Sequence, residues 1–390
     1  MASRKTYFDH AATTPVDPRV IDAMMPYFSE HFGNPASTHQ WGQITDHVVM
    51  SSRQGIAKIL GGAPNEVVFT SCGTESNNLA LRGTVFAERA RRGANHILTT
   101  AVEHPAVLRT AIALAKHHDF ELEMLPVDPF GRVAPKDLAH ALRPSTAIVS
   151  VIYGNNEIGT INPISDLSAI CRDRGVPFHT DAVQAVGQAP INVLELGIDL
   201  MSISGHKFYA PKGIGALYIR EGIDPVPLQT GGSHENGLRA GTLNVPSIVG
   251  LLDALKLAAG SYEAHVKKMT SLRDRLIHLV LEHIPESRLT GHPTQRLPNH
   301  ASFTFKGIES NQLIAALDLA GFACSSGSAC KTGDPEPSQV LTALGYDSEE
   351  SSGSLRITLG RTSTPDSIDD FIETLPDLIA KLRAVEAISP

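Results

Sequence analysis

The chain has 390 residues, 42% apolar and 19% charged, with a formal net charge of −8. That length supports a large core and two domains, and the acidic balance leaves no basic face for nucleic acid or an anionic membrane. No apolar run reaches the roughly 20 residues that span a bilayer, and "MASRKTYFDHAATTP" lacks the apolar stretch of a secretory signal.

The N-terminal segment is rich in turn chemistry, "AATTP" and "FGNPAST", and is expected to pack with a smaller C-terminal domain. From about 65 to 220, β-branched runs alternate with helical patterns. "EVVFT", "HILTT", "AIVSVIY", "VPFHT", "LMSIS" and "GALYI" read as strands. "ESNNLALRGTVFAERARR", "PAVLRTAIALAKHH" and "ISDLSAICRDRG" read as amphipathic helices. Such alternation predicts an α/β fold with a mostly parallel sheet covered on both faces. A long helical tract runs on to about Ile284. An α+β remainder follows: strand "HASFTFKG", helix "SNQLIAALDLAG", helix "PSQVLTALG", strand "SLRITLG" and a C-terminal helix from about Ser367. The expected division is a large domain over 15–257 and a small one made of 1–14 and 258–390.

Four unevenly spaced cysteines, Cys72, Cys171, Cys324 and Cys330, do not make a disulfide framework, so a reducing, cytoplasmic setting is expected. Cys324 and Cys330 have no second pair at zinc spacing, and no structural metal is expected. Their segment, "GFACSSGSACKTGDPEP", is too small-sided to build a core. On that stretch alone a disulfide, a metal site, a buried strand end and a mobile nucleophile all remain open.

Several strands end in small or polar clusters, which in open α/β sheets converge on one cleft. Lys207 follows a strand in "SISGHKFYAPKG", flanked by Ser204, Gly205 and His206. "FTSCGTESNN" passes from strand to helix through Gly73 and Thr74, where free N–H groups and the helix dipole favour an anion. Asp181 closes the strand of "FHTDAVQ", with Gln184 expected one helical turn on, and a buried carboxylate there needs a partner. His104 in "VEHPAV" stands at the mouth of a helix. Singly, a solvated lysine, an ordinary N-cap, a capping aspartate and a surface histidine would each explain these residues. Together they supply an amine, a phosphate cradle, a carboxylate for a ring nitrogen and a flat ring, the parts of a pyridoxal phosphate site. No G-x4-G-K-[ST] is present, and "PKGIGALY" has no following helix, which removes a P-loop and a dinucleotide fingerprint.

"DHAATTP", "FGNPASTH", "TSCGTESNN", "NNEIG", "TDAVQAVG", "SGHKFYAPKGIGALY", "LRAGT", "SSGSAC" and "LRITLGR" occur in the order found in cysteine desulfurases of the NifS/IscS type, and nearly the whole chain resembles that family. The resemblance implies a fold-type I, class V pyridoxal phosphate enzyme with a large seven-stranded-type sheet domain. It implies that Lys207 tethers the cofactor, Asp181 faces its ring nitrogen and His104 stacks on the ring. Asn156 and Gln184 would reach the ring oxygen or the bound amino acid. Gly73, Thr74, Ser204 and His206 would hold the phosphate, with Thr242 contributed by the other subunit of a homodimer. Arg356, helped by Asn34, would clamp the substrate carboxylate, a task that suits a bidentate guanidinium.

The same resemblance makes Cys330 the nucleophile, on a mobile loop of about 325–337, and leaves Cys324 as a small buried hydrophobe. Two departures stand out: Cys72 where Gly or Ala is usual, and Lys331 after the nucleophile where Ser or Thr is common. Cys72 is read as packing. The implied activity converts L-cysteine to L-alanine and leaves a persulfide on Cys330 for a separate acceptor protein, with an iron–sulfur scaffold the leading one. Lys207 would shuttle the proton, with His104 assisting, and Cys330 is a candidate transient cluster ligand. Selenocysteine lyase and other class V activities are the rivals.

Overall fold

The computed structural model describes residues 5–327 and 338–386. Cys330, Lys331 and most of the expected mobile loop lie outside the described residues. A short strand, β1 (Thr6–Tyr7), opens the chain. The next seven are β2 (Val67–Thr70), β3 (His96–Thr100), β4 (Glu121–Leu125), β5 (Thr146–Ser150), β6 (Phe178–Asp181), β7 (Leu200–Ser204) and β8 (Gly215–Ile219). They form one sheet in the order β2-β8-β7-β6-β5-β3-β4. All neighbours are parallel except β8, which runs against both β2 and β7. The sheet is therefore mixed, with one reversed strand.

The inner strands are buried along their whole length, as near-continuous apolar runs must be when helices cover both faces. On one face pack Ile56, Leu60, Phe69, Phe178 and Leu251. On the other pack Leu79, Val85, Val107, Leu114 and Leu217. Polar side chains inside the sheet are paired across strands. His179 bonds Ser150 on one side at 2.8 Å and Ser202 on the other at 3.0 Å. Burial holds its imidazole down at about 3, so the ring is neutral.

Two helices, Val245–Gly260 and Tyr262–His283, lead from this layer into the C-terminal part, meeting at Ser261. There β9 (Ser287–Leu289), β10 (His300–Phe305), β11 (Phe322–Ala323) and β12 (Ser354–Thr358) complete the strands. The second sheet has the order β12-β10-β9 and is antiparallel. β1 pairs in parallel with β11, Thr6 against Phe322 and Tyr7 against Ala323. The N-terminal Phe8 belongs to the C-terminal core, where its ring meets Phe371 edge-on at 5.6 Å. Cys324 is buried in the same cluster. Next to this core, the segment after Phe8 leads across to the ends of β6 and β7, and that crossing places the site.

Candidate active site

The carboxyl ends of the parallel strands, the crossing N-terminal segment and β12 enclose a cavity of about 340 Å³. Its lining contains Gly73, Thr74, His104, Asn156, Asp181, Gln184, Ser204, His206, Lys207 and Arg356, ten residues that the sequence singles out and the fold brings together. Asn34 and Thr242 do not line it. Asn34 is exposed, and its side-chain oxygen accepts the Ala36 N–H at 3.0 Å. Thr242 is exposed in the loop before Val245.

Lys207 leaves β7 through the single turn Gly205–Lys207. Two residues on, Tyr209 holds a left-handed backbone, φ 71°, that non-glycine residues avoid. It is fixed there from both sides: Thr14 Oγ1 accepts its N–H at 2.8 Å, and its hydroxyl accepts the Arg361 N–H at 2.8 Å. The Lys207 amine donates to the carbonyls of Ala11 at 2.6 Å and Ala12 at 2.8 Å. Burial, with Arg356 nearby, pulls that amine down to about 8, so a usable fraction is neutral and nucleophilic near physiological pH. Gln184 Nε2 donates to the same Ala11 carbonyl at 2.9 Å. Gln184 sits in a turn, not one helical turn on from Asp181, because β6 passes directly into tight turns.

Asp181 is buried at the end of β6, aligned with Ser202 of β7. Its Oδ2 accepts from Asn77 Nδ2 at 2.6 Å and its Oδ1 from the Val183 N–H at 3.0 Å. His104 caps the helix Pro105–His118, its Nδ1 accepting the Ala106 N–H at 3.1 Å. That bond places the proton of the neutral ring on Nε2. Burial keeps the ring below the usual imidazole range, with Lys207 pushing the same way and Asp181 opposing. His206 is lowered further, to about 4, by burial and then by Lys207 and Lys212.

The residues fit a pyridoxal phosphate. The helix beginning at Gly73 has no side-chain cap from Cys72, so its first N–H groups are left for an anion. A Cβ on Gly73 would stand 2.7 Å from Val183 Cγ2 and 3.3 Å from Ser204 Cβ, so only glycine lets the backbone close this end. Thr74, Ser204 and His206 supply further donors. At the other end lie a buried carboxylate and a desolvated amine.

Arg356 on β12 is buried and closes the cavity. Its Nη2 donates to Asp9 Oδ1 at 2.9 Å and its Nη1 to the Asn156 carbonyl at 3.0 Å, while its buried Nε has no partner among the described residues. Asp9 also accepts from Ser325 Oγ at 2.7 Å through its other oxygen. Ser325 and Arg356 exchange backbone hydrogen bonds at 3.3 and 2.6 Å. The stem of the Cys330 segment is thereby paired with the guanidinium strand.

Five groups escaped the sequence reading. Asn77 carries a signal, since it lies four residues after Gly73 and hence on the same helix face. Glu103 is buried beneath His104. Its Oε1 accepts from Thr100 Oγ1 and the Ile152 N–H, both at 2.9 Å, and its Oε2 has no partner. Burial pushes its carboxyl up to about 8. Asp9 and the carbonyls of Ala11 and Ala12 leave no local signature, because they act across the whole length of the chain. Of the cysteines described, Cys72 lines the cavity beside the phosphate end, while burial pushes the thiols of Cys171 and Cys324 up.

Residues 6–371 match the aminotransferase class-V family. A cysteine desulfurase IscS of Methanosarcina thermophila is 46% identical over 388 residues, covering 100% of this chain and 95% of that protein. A solved NifS-like protein superposes with a TM-score of 0.90 at 35% identity, over 97% of this chain and 100% of the other. A structure described as SspA in complex with cysteine gives a TM-score of 0.80 at 34% identity, over 91% and 98% of the two chains. With this likeness running the length of a chain whose cleft has the donors for the cofactor, the protein belongs to the aminotransferase class-V family of pyridoxal phosphate enzymes.

Proposed function

We propose that the chain is a cysteine desulfurase, converting L-cysteine to L-alanine and retaining the sulfur as a persulfide on Cys330. One observation carries this reading beyond family membership: the strand bearing Arg356 is backbone-paired to Ser325. Cys330 is five residues further on, within about 17 Å of extended chain from a carboxylate clamp. A transaminase has no use for a thiol so placed. The names of the similar proteins point the same way.

Bound in the cleft, pyridoxal phosphate supplies an aldehyde for an amine and an electron sink for a carbanion at Cα. Lys207 would be the residue that tethers the cofactor, and its amine, lowered to about 8, is suited to move the Cα proton of the substrate. Asp181, its carboxylate plane fixed by Asn77 and Val183, would hold the ring nitrogen. Neutral His104 holds a donor at Nε2. Arg356 takes the substrate carboxylate, its orphaned Nε adding a free donor. The Cys330 thiolate attacks the substrate sulfur: an S–S bond forms, the Cβ–S bond breaks, and its electron pair stays on Cβ. That carbon takes a proton and leaves as the methyl of alanine, so no outside oxidant or reductant is required.

A homodimer completes the site on this reading. Met25, Phe28, Phe32 and Trp41 are 55%, 59%, 64% and 54% exposed, with the rings of Phe32 and Trp41 at 5.2 Å. An apolar patch of this kind on a globular chain marks an interface, and Asn34 lies within it. The Thr242 loop is tethered near the phosphate end by Arg239, whose Nε donates at 2.8 Å to Glu75, one residue after Thr74. A second copy seated on the patch would place Thr242 over its neighbour's phosphate. The IscS names support an iron–sulfur scaffold as the sulfur acceptor. The free thiols of Cys72, Cys171 and Cys324 suit a reducing cytoplasm. A Cys330→Ala protein tests the reading: it should keep its visible absorbance and bind cysteine yet release no sulfide, and normal turnover would refute the assignment.

A further inference from the structure

We propose that Glu157 is a positioning residue for sulfur transfer, bonding the chain end after Cys330 and packing beside the one before it at the rim of the cleft. The inference rests on the reading of Cys330 as the sulfur-accepting thiol. Glu157 Oε2 accepts a hydrogen bond from Ser338 Oγ at 2.6 Å. The same Ser338 oxygen accepts the Leu341 N–H at 3.1 Å, capping the helix Gln339–Ala343. A hydroxyl has one proton, and Ser338 spends it on Glu157. On the other flank, a Cβ built on Gly327 would lie 3.3 Å from that same Oε2. The carboxylate therefore bonds the residue that closes the Cys330 stretch, and Gly327, before it, passes close by with no room for a side chain.

That oxygen is rigidly tied to the substrate side. Glu157 follows Asn156, whose carbonyl accepts from Arg356 Nη1 at 3.0 Å and from His300 Nε2 at 3.2 Å. Its own N–H is held by Asn155 Oδ1 at 2.8 Å. One short stretch of backbone thus fixes the carboxylate clamp through its carbonyl and the chain end after the thiol through its side chain. A one-ångström error between nucleophile and substrate is expensive in rate.

Glu157 also senses pH. Burial lifts its carboxyl to about 7, while the Ser338 bond and the charge of Arg356 pull the other way. Of the elements packed on it, β12 brings Arg356, and β10 brings His300, which burial keeps well below the imidazole range. The helix Gln339–Ala343 brings no ionisable group. The ionised carboxylate is the better acceptor for Ser338, so the hold on that chain end strengthens as pH rises through about 7.

The test is a single-turnover measurement on the cofactor-loaded enzyme, following the extra sulfur on the Cys330 peptide by rapid quench and mass spectrometry. Glu157→Ala is expected to slow that step about tenfold, the loss of one hydrogen bond to a charged group. Its visible band and its spectral response to cysteine should stay unchanged. Glu157→Gln, which keeps an acceptor but cannot titrate, should recover most of the rate and lose the rise near pH 7. Ser338→Ala should slow the step in the same direction, and it decides the matter should Glu157→Ala fail to fold. Persulfide formation at the wild-type rate in both Glu157→Ala and Ser338→Ala overturns the inference, as does loss of the visible band together with the rate. Cys330→Ala separates the two levels. If it still yields alanine and sulfide normally, the thiol assignment fails and the inference falls with it. If it is inert while the Glu157 variants behave as wild type, only the inference fails.

Discussion

Asn77 donates its amide proton to Asp181 Oδ2 at 2.6 Å, while the amide oxygen at its other edge is buried without a partner. Asn77 lines the same cavity as Asp181 and is the one side chain seen to donate to that carboxylate among the described residues. On the proposed reading, that bond and the Val183 N–H fix the plane in which Asp181 meets the ring nitrogen. Asn77→Ala should lower kcat/KM by about 10- to 100-fold, the range expected for a lost bond to a carboxylate, and should shift the visible absorbance. Asn77→Asp sets two carboxylates against each other and should weaken cofactor retention further. Both effects are read by absorbance titration and steady-state kinetics.

The position of Lys207 gives a pH dependence. Its amine titrates at about 8, well below the usual 10.5, and only the neutral amine attacks an aldehyde. The rate at which cofactor-free protein takes up pyridoxal phosphate should rise with pH and reach half its maximum near 8, measured by stopped-flow absorbance. Between about 8 and 10.5 the unfolded chain holds more protons than the folded one, so the stability of the cofactor-free protein rises with pH there. Lys207→Met should flatten that rise.

Glu103 titrates the opposite way. Its folded carboxyl is raised from 4.5 to about 8 by burial, so the folded chain binds the extra proton between those values. Stability then falls as pH rises through that window. Glu103→Gln mimics the neutral acid and keeps the acceptor for Thr100 and Ile152. The variant should match wild type near about pH 5 and exceed it by on the order of 1–3 kcal/mol near about pH 9. Urea melts at the two pH values measure this.

The proposed sharing of sites between two subunits gives a complementation test. Lys207→Ala and Thr242→Ala homodimers should each be impaired, the first abolished and the second weakened in cofactor binding. A mixed dimer contains one site with both Lys207 and Thr242 intact. Co-expressed and purified with two tags, it should recover about half the wild-type activity per dimer, which sites confined to one chain would not allow.

Much of this arrangement is legible in the sequence, for physical reasons. β3, β5, β7 and β8 are covered on both faces, and their unbroken runs of apolar, β-branched and small residues say so. β4 was missed because it is an edge strand whose "ELEML" carries two glutamates and is mostly open to solvent. The helix Gln40–Leu60 was missed because its buried stripe uses Thr45, Val49, Ser52, Ile56 and Leu60, and the polar Thr45 and Ser52 break the apolar face. The cavity-lining residues were legible because most of them lie just beyond a strand end in a distinctive motif. Asp9 and the Ala11 and Ala12 carbonyls were not. Asp9 bonds Arg356 from 347 positions away, and a backbone carbonyl has no residue type to announce it. Glu157 lay in plain view within "NNEIG", and its proposed role rests on the Ser338 bond and the nearness of Gly327, which only the folded chain brings together.

The most direct measurement is peptide mass spectrometry of the cofactor-loaded protein after one equivalent of L-cysteine, without reductant. The account predicts one added sulfur on the peptide containing Cys330, one alanine released per sulfur, and unmodified Cys72, Cys171 and Cys324. Sulfur on any other cysteine, or free sulfide and alanine with the Cys330 peptide unchanged throughout, would contradict it.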